Sequence, residues 1–310
     1  GPTRLSSPHV PDTRSAMRGA GRVVVLGSLA AVVGCTHGLP DAWSVQDHGN
    51  HVAGIMCARH NGLGVKGVLP NCSVAAAGGS FLIAGYSPIE GDDAIAFQAR
   101  LSEYLATVLT FMEKNPDAKV INLSLGYNWM PNFRADPRTP DNAFLRDIVR
   151  SQGRIFQAIL AYAKARDIVI FSAAGNDSTS LSSPLEAEWA SPFNFGAKLM
   201  KDAEGWSNGV IVEAHGQNNR RASFSNVGGD ISCPGVDIKS SLARPSNSYG
   251  LMSGTSMASP YCAASYAALR SLHPTLPVRK TLECYLGVSG RIEGRVPKMD
   301  LKAAHEACQQ

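Results

Sequence analysis

Six short runs of apolar, often β-branched residues recur along the chain. They lie at 22–26 (RVVVL), 73–77 (SVAAA), 119–124 (KVINLS), 167–173 (DIVIFSA), 209–213 (GVIVE) and 231–238 (ISCPGVDI) and read as strands. Helical patterns fall between several of them, at 48–59, 92–114, 143–166 and 256–272, and His273-Pro274 supplies a stop for the last. Strand and helix in alternation predict an α/β fold, a three-layer arrangement with a mostly parallel sheet and helices on both faces. No internal repeat and no Pro/Ser/Gly linker divides the chain, so an N-terminal extension (1–21) and one domain (22–310) are expected. The main interruption, 127–142, carries three prolines and several Asx residues and reads as a long surface loop.

Composition removes whole classes of function. With 44% hydrophobic residues, and 30 glycines that show no period of three, the chain is neither collagen, coiled coil nor mainly disordered. A net charge of +4 with no run of lysine or arginine leaves no footprint for nucleic acid. Arg14, Arg18 and Arg22 before VVVLGSLAAVVGC (23–35) imitate an export signal. The apolar run is shorter than the ~20 residues that span a bilayer, and it is read as the first strand with no transmembrane segment. Seven cysteines without a tight CxxC argue against a zinc knuckle and leave at least one thiol unpaired; Cys233 and Cys262 read as buried thiols. Glu90, Asp92 and Asp93 lack the spacing of a calcium loop and suit a helix N-terminus, so no metal site and no required cofactor are expected.

Three stretches carry chemistry. In DHGNHVAGI (47–55), His48 stands at an expected helix start with His51 one turn later; a zinc protease motif would need a spacing of four and an intervening glutamate. Alone, the pair reads as capping or core histidines. In GTSMASPY (254–261), Ser256 sits at the mouth of a helix, either as a cap or as a nucleophile favoured by the positive end of the dipole; Pro260 is expected in the first turn. In SAAGND (172–177), Asn176 ends a strong strand, as a turn residue or as an amide donor to an oxyanion.

Taken together and in this order, the three stretches resemble the subtilisin-like serine protease family. HGNHVAG (48–54) is similar to its H-G-T-H-V-A-G motif, with Asn50 for threonine. GTSMASP (254–260) is similar to its nucleophile motif, and SFSNVGGDISCPG (223–235) to its S-F-S-N-x-G and A-P-G signature. NGLGVKGVLPNCSV (61–74), VINLSLG (120–126) and AAGN (173–176) extend the resemblance, and RVPKMDLKAA (295–304) resembles its closing helix, so RIEGR (291–295) reads as native sequence.

The resemblance implies a serine endopeptidase acting on an extended peptide or protein, as a monomer. Ser256 would attack the peptide carbonyl, His48 would carry the proton, and Asn176 with the Ser256 amide would hold the oxyanion. Ser124, Leu125 and Gly126 would form one cleft wall, Gly78, Gly79 and Ser80 the other, with Ala174 and Gly175 on the pocket for the residue before the cut. The resemblance favours export, while the odd cysteine count leans toward a reducing compartment.

One departure bears on mechanism. The family's aspartate ends its first strand, and here VVVLGS puts Gly27 at that position, with a shortened loop before His48. Asp41, in LPDAW (39–43), is the candidate replacement acid; Asp47, one residue from His48 on a helix, points about 100° away. Orientation of His48 by a backbone carbonyl or water is a further option, and a pseudoprotease that binds peptides without efficient chemistry is the alternative reading.

Overall fold

The computed structural model describes residues 22–26, 42–69, 72, 74–76, 105–243 and 248–310. The strands β1 (Arg22–Leu26), β2 (Val74–Ala76), β3 (Ala118–Leu123), β4 (Val169–Ala173), β5 (Gly209–His215) and β6 (Ile231–Pro234) form one sheet in the order β2-β1-β3-β4-β5-β6. Every pairing in it is parallel, so the chain must return along a face after each strand. The helices are α1 (Ala42–Cys57), α2 (105–114), α3 (Ala143–Lys164), α4 (Pro192–Glu204), α5 (Thr255–Leu272), α6 (Val278–Leu286) and α7 (Leu301–Cys308).

Strand side chains alternate between two cores. Val120, Val169, Phe171, Val210 and Val212 pack with Val52 and Met56 of α1 and with Met257 and Ala264 of α5. Ile121, Leu123, Ile170 and Ile211 face the other way, onto Met112 of α2, Phe156 and Leu160 of α3, and Phe193 and Met200 of α4. Burial on both faces is why these strands read as continuous apolar runs. The expected three-layer α/β architecture is the one observed.

Several expectations are corrected. Segment 127–142 is a surface loop only in its second half, where Arg134, Thr139, Pro140 and Asp141 are exposed: Trp129 is fully buried, Tyr127 stacks on it at 4.1 Å, and both join Phe133, Leu145, Val149 and Phe195 in a third core. Aromatic burial outweighs the turn chemistry of its prolines. Run 231–238 divides because Pro234 has no amide for a ladder bond; β7 (Ile238–Ser241) then pairs antiparallel with β8 (Tyr249–Met252). Helix α1 begins six residues before His48, since nothing in 42–47 breaks a helix.

Six cysteines are paired, as Cys57–Cys72, Cys233–Cys262 and Cys284–Cys308, which overturns the reading of Cys233 and Cys262 as thiols. Spacing alone cannot show such pairings, because each joins elements brought together by the fold. Residues 291–297 make the hairpin β9 (Arg291–Ile292) and β10 (Val296–Pro297), turning at Glu293 and Gly294 and tied to β6 through the Met299 amide and the Ser232 carbonyl, 3.0 Å apart. Gly27, Cys35, Asp41, Gly78, Gly79, Ser80, Glu90, Asp92 and Asp93 lie outside the described residues. Among the described residues, no helix is long and apolar enough to cross a membrane, and no group of three or more His, Cys, Asp or Glu is placed to hold a metal.

Candidate active site

The direction of chain progression reverses between β1 and β3: the chain adds β2 on one side of β1 and then β3 on the other. In open parallel sheets, ligands bind beyond the carboxyl ends of the strands at such a reversal. Helix α1, with His48, packs against α5, which begins with Thr255 and Ser256, and the 124–126 segment leaves the end of β3.

The start of α5 contains a built-in defect. Pro260 is the sixth residue of the helix, beyond the first turn where it was expected, so its ring nitrogen cannot donate to the Ser256 carbonyl. The Ser124 hydroxyl donates to that carbonyl instead, at 2.8 Å, and itself accepts from Asn122 Nδ2 at 2.9 Å. Asn122 Oδ1 takes the Ser259 hydroxyl at 2.7 Å. Ser124, Asn122 and Ser259 are fully buried, and together they fasten α5 to the end of β3. Ser124 therefore positions the start of α5 with its side chain.

Asn176 follows β4, and its orientation is determined by chemistry. Its Oδ1 accepts both the Thr255 amide (2.9 Å) and the Thr255 hydroxyl (3.0 Å), which turns the Nδ2 donor the other way. The Ser256 amide lies in the first turn of α5 and has no intrahelical acceptor. A methyl built on Gly254 would lie 3.6 Å from both Asn176 Nδ2 and the Ser256 nitrogen, so the two donors lie near one another beside Ser256. An anionic oxygen brought between them would meet two donors and the positive end of α5.

His48 is 3% exposed, and neither ring nitrogen has a hydrogen-bond partner among the described residues. Burial, aided by His51, pushes its pKa down to about 4, so the ring is neutral at pH 7 and able to accept a proton. The Ser256 hydroxyl is turned toward the Ser124 carbonyl at 3.4 Å, and no hydrogen bond joins it to His48 here. Catalytic hydrogen bonds commonly tighten only with substrate in place. His51 is a structural histidine: its Nε2 lies 2.9 Å from the Ile238 carbonyl and 3.2 Å from that of Gly250, which requires the proton on that nitrogen. Asp47 Oδ1 accepts the Ala243 amide at 2.8 Å, and Ser240 and Ser241 donate to the carbonyls of His51 and Asn50. These contacts clamp α1 onto the β7–β8 hairpin.

The remaining cleft residues divide by side-chain direction. Leu125 and Ala174 point into the core on the α2–α4 side, whereas Gly126 is partly exposed. Gly175 has φ of +99°, a conformation suited to glycine, and its amide donates to Thr255 Oγ1 at 3.1 Å. Sequence reasoning assigned no role to four neighbours. Thr255 orients Asn176; Asn128 Oδ1 accepts the Asn176 amide at 3.2 Å; Asp177 takes the Met130 amide and Asn226 Nδ2; and the Asn226 amide donates to Gly175 O. Thr255 and Asn226 lie within motifs that were noticed, while Asn128 carries no sequence signal.

Comparison with known proteins adds a separate line of support. The profile of the subtilase family (peptidase S8) matches residues 35–287. Subtilisin amylosacchariticus of Bacillus subtilis subsp. amylosacchariticus is 32% identical over 250 residues, 78% of this chain and 52% of that protein. Subtilisin BL of Lederbergia lenta is 30% identical over 242 residues, 76% of this chain and 69% of that protein. The chain thus spans about half the length of the first of these relatives. Among solved structures, the prenylagaramide maturation protease PagA superposes with a TM-score of 0.53 at 19% identity, over 96% of this chain and 99% of that one. A protease from Pseudoalteromonas arctica PAMC 21717 gives 0.57 at 22% identity, over 91% and 76%. These two likenesses speak to the fold.

Proposed function

Because the chain belongs to the subtilase family, we propose that it is a serine endopeptidase in which Ser256 and His48 cleave peptide bonds over an oxyanion site made by Asn176 and the Ser256 amide. The observation that carries this reading is the nearness of those two donors, each 3.6 Å from a methyl built on Gly254, with Asn176 held in the donating orientation by Thr255. In the first half-reaction Ser256 Oγ bonds to the substrate carbonyl carbon, and its proton passes to His48. The oxygen, now negative, is held by Asn176 Nδ2 and the Ser256 amide. Collapse breaks the carbon–nitrogen bond, and His48 returns the proton to the leaving amine. Water repeats the sequence on the acyl-enzyme. The substrate is an extended peptide segment of a protein, lying along 124–126. The chain acts as a monomer and requires no cofactor. Three disulfides support release into an oxidising compartment.

The acid partner of His48 is the atypical part of the site. Gly27 stands where the family resemblance expects aspartate, and Asp41, one residue before α1, is the proposed replacement. Asp47 is committed to the Ala243 amide. Asp41→Asn should lower turnover by up to about 10⁴-fold, and unchanged turnover removes it from this role. Hydrolysis of a fluorogenic peptide mixture tests the whole reading: Ser256→Ala and His48→Ala should each lower the rate by about 10⁴-fold or more in folded protein. One observation favours a second reading, a peptide-binding module without efficient turnover: His48 has no partner on either ring nitrogen among the described residues. In that case peptide affinity survives Ser256→Ala and no hydrolysis is seen in the parent protein.

A further inference from the structure

Of the two proposed oxyanion donors, the Ser256 amide belongs to a helix, whereas Asn176 follows a strand end and needs holding by other means. Gly175 before it has φ of +99°, and the freedom of glycine leaves the peptide plane between residues 175 and 176 unfixed by sterics. That plane is held at both of its polar ends. The Gly175 carbonyl accepts the Asn226 amide at 3.0 Å, and the Asn176 amide donates to Asn128 Oδ1 at 3.2 Å. Asn128 is itself firmly placed: it is 2% exposed, and its φ of 47° lies in the left-handed region, which asparagine tolerates better than most residues. On one side of it the Tyr127 amide donates to the Ala190 carbonyl at 2.8 Å; on the other the Asn132 amide donates to the Asn128 carbonyl at 2.9 Å. Next in the chain is the fully buried Trp129, whose indole donates to the Trp189 carbonyl at 2.7 Å. The same turn reaches across a second time, where the Met130 amide donates to Asp177 Oδ1 at 3.0 Å. Residues 128 and 130 thus grip residues 176 and 177.

Resting on the peptidase reading, we propose that Asn128 is a positioning residue of the oxyanion site: by holding the Asn176 main chain, it fixes where Asn176 Nδ2 stands relative to the Ser256 amide. Thr255 sets the rotation of the Asn176 side-chain amide, and Asn128 sets the main-chain position from which that side chain extends. Being buried, Asn128 acts through Asn176 and touches no substrate atom. Its effect is large because a displacement of about 1 Å in a catalytic group costs ~10²-fold in rate.

The test is Asn128→Gly, which removes the acceptor and keeps the left-handed backbone free of strain. In folded protein it should lower kcat for a fluorogenic peptide by ~10–10²-fold with KM nearly unchanged, and slow the labelling of Ser256 by a small fluorophosphonate in proportion. The same change made in an Asn176→Ala background should cost less than ~2-fold, because the donor it positions is gone. A loss of packing or of folded protein would lower both backgrounds alike, so this comparison separates positioning from a structural role. Asn128→Ala, which also lacks the acceptor, makes the same comparison where the glycine variant does not fold. If the parent protein is labelled while Asn128→Gly keeps the parent kcat, raises KM instead, or costs as much in the Asn176→Ala background, the positioning role is overturned and the peptidase reading stands. If the fluorophosphonate fails to label the folded parent protein, the peptidase reading falls and the role of Asn128 falls with it.

Discussion

Ser256 depends on a proline four residues further along its own helix. Pro260 deprives the Ser256 carbonyl of its helical donor, and the Ser124 hydroxyl restores the missing bond from a different element. Ser124→Ala should therefore leave a buried carbonyl unsatisfied, at about 1–3 kcal/mol of stability measured by urea unfolding. Because that carbonyl belongs to Ser256, the proposed nucleophile, the same variant should also lose activity while still folded. Asn176 is a different case, since in the proposed mechanism its donor serves the developing charge and not the fold. Asn176→Ala should lower kcat by about 10²–10³-fold with KM nearly unchanged, as steady-state kinetics would register. A matched rise in KM would instead place Asn176 in ground-state binding.

At the level of elements, helix α5 is held by β3 through the Asn122–Ser124–Ser259 network and by β6 through Cys233–Cys262. Replacing both cysteines with alanine removes a link across 29 residues, and should lower stability by about 2–5 kcal/mol in a thermal or urea melt. A change within experimental error would show that α5 is fixed by packing alone. Strands β3 to β5 were legible because burial on both faces leaves apolar runs, and the stretches carrying His48, Asn176 and Ser256 because each is a short motif, although α1 starts well before His48. Helix α4 is absent from the expected helical patterns, although Ser191 caps it, Pro192 opens it and Gly205 closes it in the left-handed region. The buried plug around Trp129 was hidden because proline and Asx spacing describes the backbone locally, whereas its burial depends on Leu145, Leu185 and Phe195 from elsewhere in the chain. The disulfides, likewise, follow from tertiary proximity.

Across the whole molecule, the buried histidines link stability to pH. His215 is held near 4 by burial and by Lys298, against an ordinary value of 6.5, so the unfolded chain takes up a proton that the folded chain refuses. Its contribution is therefore intact above pH 6.5 and is lost as pH falls toward 4. Glu213 and Asp177 are shifted upward by burial and act in the opposite sense, which makes a difference measurement the clean one. The stability margin of the parent protein over His215→Asn should be flat above pH 6.5 and shrink by roughly 3 kcal/mol by pH 4; a margin independent of pH contradicts the assignment. His48, lowered to about 4 mainly by burial, should likewise set the acid limb of kcat/KM well below an ordinary imidazole value. The central claim is that the fold presents Ser256 as a working nucleophile beside its oxyanion site. The direct measurement is reaction of the folded protein with a fluorophosphonate, followed by mass mapping of the modified residue. The account predicts one phosphonyl group on Ser256, absent from Ser256→Ala and much slowed in His48→Ala. Folded protein that remains unmodified, or that is modified elsewhere, contradicts it.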